Sequence, residues 1–236
     1  MYWCLIPFRE GSQRVKYKNI KLFNGRPLVW YTIRQALECF DESNIIAATD
    51  ISYDTMKVLV PELHNTDILF HKRKTVKPSQ KASTYIKEII DAYPMRDSDS
   101  IVLLQPTCPT REPQDIQDAI QIYELYKRPT LVSVQEMADL DRTYLQMGDA
   151  LGTKLLKYGF RMDNQKLYQR NSSIYIFNVG YFLETNTIFD ETSALYVMPD
   201  YKSIDINTNL DFSIAELIYK RYKGDFKLKW DPEEGR

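Results

Sequence analysis

Arg9, Arg14, Lys16 and Lys18 put four cations within ten residues, with Gly11 and Ser12 between them. Small residues let a backbone come close to a ligand, and N–H groups flanked by cationic side chains make a cradle for phosphate. The segment follows a short apolar run, Tyr2-Trp3-Cys4-Leu5-Ile6, which has the length and composition of a buried first strand. A basic loop at the carboxyl end of a first strand suits a polyanion such as a triphosphate. It is not a Walker loop, because the chain has no G-x-x-x-x-G-K-[ST]. Taken alone, a charge run more often means a solvated turn. The reading therefore depends on what else the fold brings to the same place.

Other chemistries are narrowed by what the chain lacks. It has only two histidines, His64 and His71, which argues against a histidine-based hydrolase or a His-rich metal site. Both read as surface residues of a loop-rich stretch. Cys4, Cys39 and Cys108 are an odd set without metal-ligand spacing and read as free thiols in a reducing cytoplasm. Cys108 has no histidine partner nearby in sequence and reads as a packing residue, not a nucleophile. Chemistry here must run on carboxylates, amides, cations and a metal. The net charge of −1 argues against a general nucleic-acid binder, so the positive charge of the N-terminus is local. No apolar run approaches the ~20 residues of a membrane span, and no signal peptide is expected. With 44% hydrophobic residues in 236, a packed core is expected, as one domain over residues 1–236.

The elements that must position these groups follow from periodicity. Asn24-Gly25-Arg26-Pro27 reads as a turn and helix start, with Pro27 at the first helical position. Leu28, Tyr31, Ile33, Ala36, Leu37 and Phe40 recur at helical spacing. A second strand over 44–50 ends in Asp50, and Ser52 is placed to cap a helix running to about Val60. A short third strand over 67–70 precedes a helix from Ala82 to Tyr93. Ser100-Ile101-Val102-Leu103-Leu104 reads as a central strand covered on both faces, and ends in Gln105-Pro106-Thr107-Cys108-Pro109. A helix over 113–126 and a strand over 130–134 follow. This alternation predicts an α/β fold with a mainly parallel, Rossmann-like sheet flanked by helices. In such sheets ligands bind outside the carboxyl ends of the strands, where the basic loop, Asp50 and Gln105 all fall. From about 135 to 170 the pattern changes to short alternating pieces (143–147 and 154–158) with Gly148 and Gly152 between them. That stretch is expected to be an inserted hairpin. Strands over 173–177 and 196–198 and a last helix from about Leu210 to Tyr222 complete the chain.

Four separated segments, in order, resemble one family: the cytidylyltransferases that activate sialic acid and related keto sugars as CMP-sugars. The family's opening A-R-x-x-S-x-x-x-x-x-K-N is matched in spacing by Arg9, Ser12, Lys18 and Asn19. Its L-L-Q-P-T-S-P-L-R is similar to Leu103-Leu104-Gln105-Pro106-Thr107-Cys108-Pro109-Thr110-Arg111. Its R-x(9)-N-G-A-I-Y is similar to Arg161, Asn171, Ile174 and Tyr175, with Ser172 and Ser173 in place of Gly and Ala. Its S-I-D-I-D-T is similar to Ser203-Ile204-Asp205-Ile206-Asn207-Thr208.

The resemblance implies attack of a sugar hydroxyl on the α-phosphate of CTP, with release of pyrophosphate. Such transfers need positioning and charge neutralisation more than covalent help. It implies a catalytic set of Arg9, Lys18 and Asp205, and a nucleotide-binding set of Arg9, Ser12, Lys18, Asn19 and Ser83. Gln105, Arg161, Tyr175, Asn171, Tyr168 and Arg142 are implied on the sugar side, where arginine is the bidentate partner of a carboxylate. Mg²⁺ is implied as cofactor, with Asp205 and Asn207 as its protein ligands. The inserted segment is implied to pair two copies into a homodimer. An acid is usual at 207, and an amide there brings no charge. If Asn207 is a ligand, an aspartate in its place should tighten the use of Mg²⁺. Asp211 is a further acid close by. Gln13-Arg14 stands for the usual K-G, Lys16 for a proline, and Gln80-Lys81-Ala82-Ser83 for D-T-A-S. Lys72 or Arg73 falls where an arginine often lies near the nucleotide.

Each residue also has a plainer reading. Tyr168 and Tyr175 are two of seventeen tyrosines and could be packing residues with satisfied hydroxyls. Asp205 could belong to a turn, Asn207 could cap the last helix, and Gln105 could satisfy backbone groups. Other function classes stay open on sequence grounds. One is a non-catalytic relative that binds nucleotide or sugar. Another is a nucleotidyltransferase with a different nucleotide or acceptor.

Overall fold

The apolar run at the N-terminus forms the strand β1 (Tyr2–Pro7), and every second core position faces the opposite side of the sheet. The computed structural model describes residues 1–12, 14–73, 82–137 and 168–222, together with the backbone of 144–147 and 154–157. β2 (Leu22–Phe23) and β3 (Arg26–Pro27) make a small hairpin. α1 (Leu28–Leu37), β4 (Ile45–Thr49), α2 (Tyr53–Leu59), β5 (Leu69–Lys72), α3 (Ala82–Ala92) and β6 (Ser100–Leu104) follow. Then come α4 (Pro113–Tyr126), β7 (Thr130–Glu136), β8 (Tyr144–Met147), β9 (Lys154–Lys157), β10 (Tyr168–Asn178), α5 (Val179–Thr185), β11 (Ala194–Val197) and α6 (Asn209–Tyr222).

Seven strands form one sheet in the order β11-β7-β10-β6-β1-β4-β5. β10 is antiparallel to both its neighbours and the remaining pairs are parallel, so the expected mainly parallel α/β sheet is observed. The direction of β10 has a simple cause. The chain leaves the sheet at the carboxyl end of β7 and returns at the same end, where Tyr168 pairs with Glu136. Between the two, in the stretch expected to be an insertion, lies the antiparallel pair β8–β9.

Helices cover both faces. Cys4, Ile6, Val102 and Leu104 pack against Val29 and Ile33 of α1, Met56 of α2 and Ile116 of α4. Trp3, Leu5, Ile101 and Leu103 pack on the other side against Ile86 and Ile89 of α3 and Phe182 of α5. A smaller third core joins Val15, Phe23, Leu28, Tyr31, Ile206, Phe212 and Ala215. It ties the basic loop and the β2–β3 hairpin to α6.

The turn expected at Asn24-Gly25 is observed: both residues have positive φ, +46° and +86°, in the tight hairpin between β2 and β3. The helix start is corrected by one residue. Pro27 ends β3 and precedes the first helical residue, Leu28. α5 is an additional helix, capped by the Asn178 side chain, which accepts from the Tyr181 N–H at 2.9 Å. Its Gly180 suits a close approach: a Cβ there would lie 3.1 Å from the Asp97 backbone oxygen, a tight contact.

Candidate functional site

Five chain segments converge outside one end of the sheet, at the carboxyl ends of β1, β4, β5 and β6 and the entry of β10. The basic loop follows β1 and is held at both of its ends. Asp50, just after β4, accepts the Glu10 N–H at 2.8 Å. The buried Asn19 donates from Nδ2 to the Arg9 carbonyl at 2.9 Å. Between them Tyr17 adopts φ +56°, and its carbonyl accepts from the Ile20 and Lys21 N–H groups. That turn swings Lys18 inward, where its ammonium donates to the carbonyl of Ile206.

The second half of the site is the segment 203–207. Ser203 donates to the Pro199 carbonyl at 2.9 Å and accepts from Asn171 Nδ2 at 2.9 Å. The Ile206 N–H donates to the Thr107 carbonyl at 2.9 Å, which joins the segment to the loop after β6. Asp205 and Asn207 share a face, as alternation requires: Asn207 Nδ2 donates to Asp205 Oδ2 at 3.0 Å. Asn207 Oδ1 accepts from Arg14 Nη1 at 3.1 Å. Guanidinium offers donors only and carboxylate acceptors only, so this amide has one orientation that serves both.

The electrostatics are those of a cationic crevice. Burial pushes the Lys18 pKa down. Arg14 and Arg9 press it further in that direction, while Asp205 opposes them. Arg73 lies just past β5 with its N–H on the Thr49 carbonyl, and its guanidinium covers the Tyr85 ring. Burial weighs against its charge, Asp50 favours it and Arg9 opposes it. Arg9, Arg14, Lys18 and Arg73 thus load one region with positive charge, and a polyanion would relieve it. A pH effect follows. A phosphate chain brought against Lys18 raises its pKa again, so binding should take up protons, increasingly as pH rises toward the lowered Lys18 pKa. Affinity should fall with rising pH earlier than it would for an ordinary lysine. Calorimetry of triphosphate binding in buffers of different ionisation enthalpy reads the uptake directly, and no uptake at any alkaline pH would remove Lys18 from the contact.

Several expected site residues are used by the fold itself. Asn171 is buried. Its Oδ1 accepts from the Ser133 hydroxyl at 2.6 Å and the Ser173 N–H at 3.2 Å, while its Nδ2 reaches Ser203. It therefore braces the Asp205 segment. Tyr175, 4% exposed, packs beside Phe189, and burial pushes its phenol pKa up. Asp211 caps α6. Burial raises its carboxyl, but the N–H groups of Asn207 and Thr208 outweigh this and hold it below the usual range. The Cys108 thiol is buried and donates to the Asn171 carbonyl at 3.3 Å; its pKa is pushed up to about 12, which fits a packing role.

Gln105 stands half-buried at the end of β6, and Ser12 half-buried in the basic loop. Tyr168 is 37% exposed at the base of the insertion, paired with Glu136. Ser83 lines an open groove at the β5 edge with His71, Lys72 and Lys87. Arg142, Arg161 and Gln80 lie outside the described residues.

Sequence reading passed over Arg111. It is 1% exposed and has no ion-pair partner among the described residues. Its guanidinium donates to the Ser173 carbonyl at 2.6 Å, Gln35 Oε1 at 2.9 Å and Thr32 Oγ1 at 3.3 Å. These bonds clamp the loop after β6 between α1 and β10. The signal was its position at the end of Leu103–Arg111.

A sequence-family model described as Cytidylyltransferase matches residues 3–213. The chain is 27% identical over 222 residues to the N-acylneuraminate cytidylyltransferase of Escherichia coli O18:K1:H7, covering 92% of this chain and 52% of that protein. It is 29% identical over 217 residues to the enzyme of that name from Streptococcus agalactiae serotype V, covering 89% and 51%. The chain therefore spans about half the length of these relatives. Against the CMP-N,N'-diacetyllegionaminic acid synthase of Legionella pneumophila it is 29% identical over 234 residues, covering 91% of this chain and 94% of that one. Among solved structures, a CMP:2-keto-3-deoxy-manno-octonic acid synthetase complexed with CTP shares the fold, with a TM-score of 0.68 at 12% identity. That match covers 94% of this chain and 99% of the other.

Proposed function

The chain belongs to the cytidylyltransferase family, and from that premise we propose that it transfers CMP from CTP to a sialic-acid-like nonulosonic sugar, releasing pyrophosphate. The observation that carries this reading is the docking of Arg14 and Lys18 on the segment bearing Asp205, with Arg9 close to both Lys18 and Arg73. The names of the relatives, sialic and legionaminic acid enzymes, support a nine-carbon keto acid as acceptor.

In this mechanism the sugar hydroxyl oxygen forms a bond to the α-phosphorus as its O–H bond breaks and the proton passes to water, and the bond from that phosphorus to the bridging oxygen of the β-phosphate breaks. Lys18 and Arg9 hold the triphosphate, as point charge and fork respectively. The cations also stabilise negative charge on the departing pyrophosphate, and they are in place before reaction, so little reorganisation is needed. Gln105 and, from the insertion, Arg161 and Arg142 are proposed to orient the sugar and its carboxylate.

The donor set was compared with what Mg²⁺ needs. Its usual protein complement in nucleotide sites is one or two carboxylates, the rest being water and phosphate oxygens. Asp205 fits as a single ligand. Asn207 fits poorly, because its oxygen faces the Arg14 cation and its Nδ2, a donor, is the atom turned toward Asp205. Among the described residues no group of three acidic, histidine or cysteine side chains could hold a metal without the substrate. Magnesium held by Asp205 and the phosphates would supply further neutralisation of the triphosphate charge.

The same reading places the protein in the cytoplasm as a homodimer. The described cysteines are all free, and no described helix is long and apolar enough to cross a membrane. An isolated two-stranded hairpin is marginal in water, which supports a partner surface for β8–β9.

Titration with CTP, UTP and ATP, with and without Mg²⁺, tests the nucleotide. Pyrophosphate release with a panel of keto acid sugars tests the acceptor. Selective CTP binding followed by release with one nonulosonic acid is expected. A folded protein that binds no nucleotide would mark a non-catalytic relative instead.

A further inference from the structure

Arg14 lies on the exposed side of the basic loop and makes no ion pair among the described residues. What holds it is the Asn207 amide oxygen at 3.1 Å, and the same amide donates to Asp205. Lys18 meets the adjacent residue of the same segment, at the Ile206 carbonyl. Two cations from one loop therefore dock on two consecutive residues of the segment that carries Asp205. The amide matters because it is neutral. It fixes the guanidinium without cancelling its charge, whereas a carboxylate at 207 would fix it and cancel it. One oxygen of Asp205 stays outside this chain of bonds.

We infer that Arg14 is a triphosphate-binding residue held in place by Asn207, and that Asn207 is a positioning residue for that guanidinium and not a metal ligand. The inference rests on the reading of this site as a CTP site. It turns the substitution of an amide for the family's usual acid into a paired change, with the uncharged side chain at 207 serving the cation at 14. Arg14 acts together with Lys18 on the charge that grows as pyrophosphate leaves. Part of the neutralisation left to a metal in a two-carboxylate site falls here on a fixed guanidinium.

The test is calorimetric titration with CTP and with CMP, in a chelator and in Mg²⁺, of the wild type and of Arg14→Ala, Arg14→Lys and Asn207→Asp. In the chelator, Arg14→Ala should weaken CTP binding about 10-fold and leave CMP binding within about 2-fold, since CMP lacks the outer phosphates. Arg14→Lys should recover part of the loss. Asn207→Asp should also weaken metal-free CTP binding, because the new carboxylate pairs with Arg14. The opposite pattern overturns the inference: Arg14→Ala indistinguishable from wild type on CTP, or Asn207→Asp tightening CTP binding only when Mg²⁺ is present. A wild type that fails to bind CTP at all would take the underlying reading down with it. Wild-type binding with an unaffected Arg14→Ala removes only the role of Arg14.

Discussion

Replacement of Lys18 by alanine is expected to weaken CTP binding by about 100-fold, close to 3 kcal/mol, with little change in the thermal midpoint. The ammonium is half-buried, and its hydrogen bond to the Ile206 carbonyl fixes it between the basic loop and the Asp205 segment. It has already been desolvated by the fold, so a phosphate meets it without first stripping its water. The loss should be far smaller for cytidine than for CTP, because cytidine offers the ammonium no charge. Titration calorimetry of the two ligands against wild type and variant measures the difference. Equal affinities for CTP in the two proteins would refute the phosphate-loop reading.

The second large effect is structural. Phe23 is fully buried and meets Tyr31, Phe212 and Tyr219 edge-on at ring separations of 5.1, 5.6 and 5.6 Å. Phe23→Ala should cost about 4 kcal/mol, from lost transfer energy and a cavity that its rigid neighbours cannot fill. The effect should reach the site, since the same small core contains Val15 of the basic loop and Ile206. Phe177→Ala, in the core on the α3 and α5 side, should cost a similar amount. Urea midpoints are expected to fall in both variants. CTP affinity under native conditions should drop only in Phe23→Ala. Equal affinities in the two variants would show that the small core does not set the loop.

The strands and most helices were legible because their signals are local. α4 spans the residues its periodicity indicates, and Ser52 caps α2 by accepting from Thr55. The additional helix α5 was obscured by its seven-residue length and by Gly180, a poor helix former kept for a contact with Asp97. The motif residues fall on segments that the fold gathers at the carboxyl ends of the strands. They did not tell which side chains face the crevice. Asn171 and Tyr175 sit in a motif next to the site, and their internal partners Ser133, Ser203 and Phe189 come from other elements, out of reach of any local signal. The Arg14–Asn207 bond spans 193 positions of sequence, and no spacing rule reports such a pair.

Arg111 and the reversed strand β10 together constrain the order in which this chain can fold. A guanidinium keeps its proton under all ordinary conditions, so Arg111 cannot be buried by becoming neutral. Its acceptors come from α1 and from Ser173, which is made more than sixty residues after Arg111. β10 is also the strand that fills the gap between β6 and β7. A nascent chain that has emerged only through β7 therefore carries an incomplete sheet with two open edges and an unsatisfied charge in its prospective core. Folding should be late and all-or-none, waiting for the return from the insertion. Truncations before β10 should yield aggregation-prone chains instead of a smaller stable domain.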